Sequence, residues 1–217
     1  MPRRSKSKPS PRAKQLRKLH KDEVGLRKEV EKVAARRRAL PPGEPVKDDY
    51  VLVDSKGRKN VRLSQLFGPK RNELLVYHYM WAPDDAKPCP MCTMWCDGYD
   101  AVEPYVRKRV NFVLVAKAPP EKLAKWARGR GWKNIRLLSS FGSKFNRDMK
   151  VEDRAGGQYP VLSVFTKDRN GTIRRFYHKS AILGPSTNRG IDLMSPVWNL
   201  FDMLPSGRGE WLPNYER

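Results

Sequence analysis

The sequence predicts an α/β domain with a mixed central sheet, helices on both faces of that sheet, and a basic helix before it. Strand-like and helix-like apolar patterns alternate between residues 74 and 131. A strong turn sequence, Asp168-Arg169-Asn170-Gly171, then joins two further strand-like runs. Parallel crossovers followed by an antiparallel hairpin define a mixed sheet, which is the basis of this prediction.

The 217 residues suit one domain of ordinary size plus an appendage. We predict a disordered basic tail over residues 1–11, a helix and linker over 12–44, and the α/β domain over 45–217. The predicted N-terminal helix carries an apolar stripe that fills five of six heptad a and d positions, namely Leu16, Leu19, Leu26, Val30 and Val33. Such a short stripe is expected to pack on its own domain rather than to form a coiled coil.

The α/β domain is expected to begin with a hairpin, and its later elements follow from periodicity and turn residues. The predicted strands are 50–53, 61–63, 74–81, 111–116, 159–165 and 172–178. The predicted helices are a single turn at 64–68 with a serine cap, then 90–109, 120–131 and 191–204. We interpret the polar and aromatic stretch 137–146 as a segment that folds back over the sheet edge near the cysteines.

The net charge of +22 at pH 7 is densest in residues 1–40, which hold 15 Lys and Arg against four Asp and Glu. Such a tail favours nonspecific contact with nucleic acid or another anionic surface, with a merely solvated surface as the alternative. No apolar run is long enough for a membrane span, and no signal-peptide pattern follows the N-terminus. Three clustered cysteines favour a reducing compartment, so we expect a cytoplasmic protein, with the nucleus as the alternative.

All three cysteines lie between residues 89 and 96, directly after the strand predicted at 74–81. A Cys-x-x-Cys that opens a helix activates its first thiol, because the helix N-terminus stabilises a thiolate. Cys89 is therefore the candidate nucleophile, and Cys92, one helical turn on, its disulfide partner. Cys96 shares their helix face and is a third catalytic candidate. No cofactor is expected.

Three other interpretations of this cluster remain open at the level of the sequence. The thiolates form a metal site if His78 or Asp97 supplies a fourth ligand. Thr93-x-x-Cys96 is partly similar to the peroxidatic motif of peroxiredoxins, although Cys89 stands where that motif has proline. In the last interpretation, the cysteines are three small buried residues that only fill space in the core.

The order of elements, with Cys-x-x-Cys at the first strand-to-helix junction, resembles the thioredoxin fold. In that superfamily a cis proline opens the strand facing the cysteine pair, and Pro160 matches it. The resemblance implies a cis peptide before Pro160 that leaves backbone groups free for a substrate strand. It makes Tyr159 and Pro160, with Trp81 at the end of the strand before the cysteines, candidate substrate-binding residues.

A closer resemblance is to the thioredoxin-like family catalogued as domain of unknown function 899, described as predicted dithiol-disulfide oxidoreductases. It rests on residues 76–80, 89–95, 97–99, 139–140, 145–148 and 199–208. Cys96 departs from that family, which usually has alanine there. The resemblance implies a thiol-disulfide oxidoreductase that acts on protein or small-molecule thiols and disulfides. Alternatives are a peroxiredoxin-like peroxide reductase and a non-enzymatic basic domain that binds a partner or a metal.

Overall fold

A computed structural model describes residues 10–57 and 59–181, together with Leu212, Asn214 and Tyr215. The chain divides into two compact units, residues 1–41 and residues 42–217. Most of the predicted disordered tail and the whole helix predicted at 191–204 lie outside the described residues. Within the described part, none of the helices is long and apolar enough to cross a membrane.

The first unit is built on one helix, α1 (Pro11–Arg38). It begins where the Ser10 hydroxyl accepts a hydrogen bond from the Ala13 N–H at 3.2 Å, and Pro11 occupies its first position. Its last turn contains three arginines, and the negative end of the helix dipole stabilises their positive charge. None of its residues is buried, and the five residues of the apolar stripe are 44 to 67% exposed. Packing of this stripe on its own domain stays a prediction.

The second unit contains a seven-stranded mixed sheet. Its strands are β1 (Val51–Asp54), β2 (Asn60–Arg62), β3 (Glu73–Tyr79), β4 (Asn111–Ala116), β5 (Arg136–Ser139), β6 (Val161–Lys167) and β7 (Ile173–Ser180). Their order across the sheet is β2-β1-β5-β4-β3-β6-β7. Strands β3, β4 and β5 are parallel, and the other neighbouring pairs are antiparallel. The parallel pair β3 and β4, extended by the antiparallel hairpin β6 and β7, is the thioredoxin-like arrangement that the sequence predicted.

Helical segments cover both faces of this sheet. They are α2 (Pro90–Val106), α3 (Pro120–Arg130), α4 (Phe145–Asp148) and a 3₁₀ helix (Leu63–Phe67). Side chains of α2 and α3 share one apolar core, whereas the 3₁₀ helix and Phe145 of α4 belong to a second core on the other face. The sheet is therefore buried on both sides in its centre, as the continuous apolar runs of β3 and β4 require.

A proline inside α2 leaves one helix carbonyl without its usual N–H donor, and this carbonyl helps to hold α2 against the residues that precede β5. Pro104 lies inside α2 and has no N–H to donate to the carbonyl of Asp100. That carbonyl instead accepts a hydrogen bond from the Asn134 side chain at 3.0 Å. The carboxylate of Asp100 accepts the backbone N–H groups of Asn134 and Ile135 at 2.8 and 2.9 Å. The buried Asp100 thus fixes α2 against the sheet.

The prediction for residues 137–146 is wrong, because this stretch begins inside the sheet. Strand β5 pairs with both β4 and β1, and Leu138 is fully buried. The two serines that made the stretch look like a surface segment are also buried. Ser139 donates to the Ala118 carbonyl at 2.7 Å, and Ser140 donates to the Asn146 side chain at 2.7 Å. Both buried hydroxyls therefore have hydrogen-bond partners within the protein, as buried polar groups require. A short sequence pattern cannot identify such partners in advance.

The predicted serine cap of the turn at 64–68 is also wrong. The 3₁₀ helix begins one residue before Ser64, with Arg62 at the cap position. The Gln65 side chain accepts the Arg62 N–H at 2.8 Å, while the Ser64 hydroxyl donates to Asp49 at 2.7 Å. Ser64 therefore ties the helix to the residues before β1 rather than capping it.

Candidate active site

Cys89 is the N-cap residue of α2, at the end of the loop that follows β3. Pro90 occupies the first helical position, where its missing N–H costs no hydrogen bond. The Cys89 N–H donates to the Met80 carbonyl at 3.1 Å, which turns the chain back beside the strand it has just left. Cys89 is partly exposed, whereas Cys92 and Cys96 are buried.

The surroundings of Cys89 stabilise its thiolate. Hydrogen bonding from the Cys92 thiol lowers the pKa of Cys89 from 9.0 to about 6, assisted by the backbone N–H groups of Cys92 and Met91 and opposed by burial. These N–H groups are donors that the first turn of a helix leaves unpaired. At pH 7 the side chain is therefore mostly a thiolate, the nucleophilic form of cysteine.

The other two thiols are kept in the neutral form. Burial raises the pKa of Cys92 well above its ordinary value, and the neighbouring Cys89 adds to this effect. Burial also raises the pKa of Cys96, which has no exposed surface and belongs to the core between α2 and the sheet. All three cysteines are free thiols. The structure thus brings the predicted pair together and places Cys96 where a substrate does not reach it.

A hydrogen-bonded link joins the first turn of α2 to the end of β3. The buried Thr93 hydroxyl donates to the Cys89 carbonyl at 2.9 Å and lies 2.7 Å from the Tyr79 hydroxyl. Because the threonine proton is committed to that carbonyl, Tyr79 is the donor in the second bond. Burial raises the pKa of Tyr79, so the phenol keeps its proton. The link fixes the cap residue relative to the strand, and residue spacing gave no sign of it.

Pro160 lies at the correct end of the sheet, but its predicted geometry is wrong. Val161 pairs with His78, so Pro160 stands one residue further on, where β3 ends. There is no cis peptide bond within the described residues, so the bond before Pro160 is trans. The Tyr159 N–H donates to Val151 at 2.9 Å and the Pro160 carbonyl accepts from Ala181 at 3.2 Å. These backbone groups are already paired and are not free for a substrate strand.

The other two candidate substrate-binding residues differ in exposure. Tyr159 is 47% exposed, and its hydroxyl donates to Asp153 at 3.2 Å. Trp81 is 2% exposed, and its indole N–H donates to the Asp85 carbonyl at 3.0 Å. Trp81 thus fixes the loop before Cys89, and a substrate contact by either residue stays a prediction.

The two residues proposed as a fourth metal ligand have other partners. His78 lies on the opposite sheet face from the cysteines, where its Nε2 is 3.0 Å from the Ser163 hydroxyl and its ring stacks on Phe145. Asp97 binds Arg130 and accepts the Trp132 indole N–H at 2.7 Å. Among the described residues, no group of three or more His, Cys, Asp or Glu side chains is arranged to hold a metal ion.

One aromatic residue near the site was not predicted from the sequence. The Tyr215 hydroxyl donates to the Pro88 carbonyl at 2.6 Å, next to the candidate nucleophile. Negative charge on Cys89 contributes to the raised pKa of Tyr215, after burial. Residue spacing gave no signal for this contact, because 127 residues separate the two partners.

A protein family described as "Bacterial protein of unknown function (DUF899)" matches residues 8–216. The chain belongs to this family. The match includes the sheet, the cysteine loop and Tyr215, and it confirms the resemblance that the sequence motifs indicated. A comparison with curated proteins gave no match.

Several solved peroxiredoxin structures are similar to this member of the DUF899 family. The peroxidoxin BcpB of Mycobacterium tuberculosis has 20% identity and a TM-score of 0.49, covering 71% of this chain and 91% of its own. A cysteine-to-serine mutant of Xylella fastidiosa PrxQ has 12% identity and a TM-score of 0.49, covering 73% and 95%. A Xanthomonas campestris peroxiredoxin Q mutant has 16% identity and a TM-score of 0.47, covering 60% and 79%. Similarity at this level assigns no activity to the chain.

Proposed function

We propose that this DUF899 protein is a thiol-disulfide oxidoreductase that uses Cys89 and Cys92 as its redox pair. The observation that carries this proposal is the position of Cys89 at the N-cap of α2, partly exposed, with Cys92 buried one helical turn on. This environment lowers the pKa of Cys89 to about 6 and raises that of Cys92, a difference that separates the roles of attacking and resolving cysteine. The expected substrates are disulfides and thiols of proteins or small molecules, in a reducing compartment such as the cytoplasm.

The first step of the exchange is attack by the Cys89 thiolate on a substrate disulfide. A Cys89–substrate disulfide forms, the substrate S–S bond breaks, and one substrate thiolate leaves. This step removes the negative charge of Cys89, which is one cause of the raised pKa of Cys92. Cys92 then loses its proton more readily and attacks the Cys89 sulfur.

The second step leaves a Cys89–Cys92 disulfide and releases the other substrate thiol. The substrate has then gained two electrons, which the cysteine pair has lost. Cys92 supplies one of the two protons that the product thiols need, and the solvent supplies the other, because Cys89 began as a thiolate. In the reverse direction the same pair oxidises a dithiol, and the low pKa of Cys89 favours its departure as a thiolate. Cys96 takes no part in either step, because it lies about two helical turns from Cys89, inside the core between α2 and the sheet.

The test uses a small neutral disulfide, bis(2-hydroxyethyl) disulfide, with mass spectrometry and thiol counting. We expect the reduced wild-type protein to release two thiols per disulfide and to end with a Cys89–Cys92 disulfide. Cys92→Ser is expected to release one thiol and to retain the other half of the probe on Cys89. Cys89→Ser should release none, and Cys96→Ser should behave like the wild type.

The same variants distinguish the peroxide reductase interpretation. Hydrogen peroxide would oxidise the Cys89 thiolate to a sulfenic acid, and Cys92 would then form the disulfide with release of water. If the rate constant for peroxide exceeds that for every disulfide tried by about a hundredfold, the protein is a peroxide reductase rather than a disulfide exchanger. Release of thiols by Cys89→Ser would contradict both interpretations.

A further inference from the structure

An open cavity of about 640 Å³ lies between α3 and the loop that precedes Cys89. Three aromatic residues, Trp81, Trp126 and Tyr215, and three lysines, Lys87, Lys122 and Lys125, contribute to its wall. We call this cavity, defined by these six residues, the basic pocket. Its volume is within the range of pockets that hold small organic molecules.

The basic pocket lies beside the segment that leads into Cys89, although Cys89 itself does not line it. Lys87 precedes the nucleophile by two residues, and the Tyr215 hydroxyl holds the Pro88 carbonyl at 2.6 Å. Trp81 and Cys89 pack against the same apolar core. A molecule in this pocket therefore lies beside the segment that carries the reactive sulfur.

The aromatic side of the pocket is a continuous wall of rings. Trp126 meets Trp81 edge to face at 5.7 Å between ring centroids, and it meets Tyr215 in the same way at 5.6 Å. These contacts fix the indole of Trp126 between its two neighbours. A planar or apolar ligand body gains contact area against such a wall at little conformational cost.

On the basic side of the pocket, none of the three lysines forms an ion pair with another described residue. The Lys122 ammonium is 2.7 Å from the Pro83 carbonyl, and the Lys87 ammonium lies 5.1 Å from the Tyr215 ring centre. Lys125 is exposed and makes no ion pair or hydrogen bond within the described part of the chain. No Asp or Glu is among the described residues that line the cavity. A carboxylate entering the pocket therefore meets three lysines that form no ion pair among the described residues, although Asp85 lies near Tyr215 and Asp97 pairs with Arg130 of the same wall.

From this combination we infer that the substrate of the Cys89–Cys92 pair is an anionic organic disulfide, whose carboxylates face the three lysines and whose body packs on Trp126. The inference rests on the proposed function and names its substrate class. Cys89 attacks the nearer sulfur of the bound disulfide, the S–S bond breaks, and the departing thiolate is stabilised by the lysines. Cys92 then releases the second thiol, so the disulfide is reduced to two thiols and the cysteine pair is oxidised.

The test compares two aromatic disulfides that differ in charge. 5,5′-Dithiobis(2-nitrobenzoic acid) carries two carboxylates, and 2,2′-dithiodipyridine is neutral. Stopped-flow absorbance gives the rate constant of each with the reduced full-length protein, at an ionic strength of about 0.15 M so that distant charges are screened. The measured quantity is the ratio of the anionic rate constant to the neutral one.

Lys125→Glu is the test variant, and Lys59→Glu is the matched control. Lys59 is an exposed residue of the turn between β1 and β2. That turn lies beside the start of β5, at the opposite end of the sheet from the cysteines, since the Ser55 N–H donates to Leu137 at 3.0 Å. Both variants change the net charge equally, so they separate a local effect from a global one.

We expect Lys125→Glu to lower the ratio by about tenfold and Lys125→Gln to lower it by about threefold, with the ratio nearly unchanged in Lys59→Glu. An unchanged ratio in both Lys125 variants, while both probes still react at Cys89, overturns this inference and leaves the proposed function standing. An equal fall in Lys59→Glu also overturns it, because the effect is then one of overall charge. If neither probe reacts with Cys89, the proposed function itself fails.

Discussion

The reactivity of Cys89 depends on donors within the first turn of α2, and the Cys92 thiol is the strongest of them. Serine at position 92 keeps an O–H that can donate to the Cys89 sulfur, whereas alanine removes it. The pair Cys92→Ser and Cys92→Ala therefore separates the hydrogen bond from the backbone contribution of the helix N-terminus.

We expect the rate of Cys89 alkylation by iodoacetamide to rise with pH and to reach half its maximum near pH 6. Below this midpoint the rate falls about tenfold per pH unit, because the thiolate fraction falls by that factor. The midpoint should move upward by about one unit or more in Cys92→Ala and by less in Cys92→Ser. A midpoint near 9 in the wild type would show that the helix N-terminus does not activate this thiol.

His78 makes a pH-dependent contribution to stability rather than to the chemistry of the site. Burial lowers the pKa of His78 from 6.5 to about 3, so the folded protein holds it neutral. Between these two values the unfolded chain binds a proton that the folded chain does not. The free energy of unfolding therefore decreases as the pH falls from 6.5 towards 3.

Replacing this residue tests that contribution. His78→Gln keeps a donor for Ser163 but does not titrate. Between pH 6 and 4, we expect the unfolding free energy of the wild type to fall by up to about 1.4 kcal/mol per pH unit more than that of the variant. His20→Gln, at an exposed position of α1, is the control and should follow the wild type. Parallel pH profiles for His78→Gln and the wild type would contradict the burial of a neutral histidine.

At the scale of secondary-structure elements, α2 is tied to β3 by the hydroxyls of Thr93 and Tyr79. Thr93→Val leaves the buried Tyr79 hydroxyl without this acceptor, and the expected cost is about 1 to 3 kcal/mol in urea unfolding. Tyr79→Phe should cost less, since the Thr93 hydroxyl still donates to the Cys89 carbonyl. The double variant should cost less than the sum of the two single variants by about 1 kcal/mol. Simple additivity would show that the link does not stabilise the fold.

The long apolar patterns predicted most elements, because their local signals agree with the tertiary structure. Strand β4, helix α3 and the hairpin of β6 and β7 lie close to their predicted positions. Strand β5 was missed, since four residues that end in a serine, with a second serine directly after them, carry too little periodicity. The Ser139 hydroxyl finds its partner in Ala118, and the Ser140 hydroxyl finds partners in Ala116 and Asn146. Neither set of contacts can be read from the local sequence.

In the candidate site, the position of Cys89 was predictable from the sequence, but the geometry at Pro160 and the contact of Tyr215 were not. The order of strand, loop and Cys-x-x-Cys sufficed to place Cys89 at a helix N-terminus. The trans bond before Pro160 was not predictable, because the two isomers of a proline peptide differ by only about 0.5 to 1 kcal/mol and the surrounding pairing decides between them. The contact of Tyr215 with Pro88 was likewise invisible, because it depends on the path of the chain after β7.

At the scale of the whole molecule, the net charge of +22 is divided evenly between residues 1–40 and the rest of the chain. If the N-terminal segment contacts polyanions, its charge makes binding strongly salt-dependent. We expect the full chain to bind single-stranded DNA with a steeper loss of affinity on adding salt than a chain that starts at Pro42. Fluorescence anisotropy measures both slopes, and equal slopes would exclude the basic segment as the contact.

The proposed function requires a reversible redox pair of Cys89 and Cys92. Its most direct measurement is thiol counting with peptide mapping, after the full-length protein is equilibrated in glutathione buffers of set potential. We expect one disulfide between Cys89 and Cys92 that forms and opens reversibly as the ratio of oxidised to reduced glutathione is varied, with Cys96 a thiol throughout. If all three thiols stay reduced and unreactive until the protein is unfolded, or until a chelator is added, the redox function is contradicted.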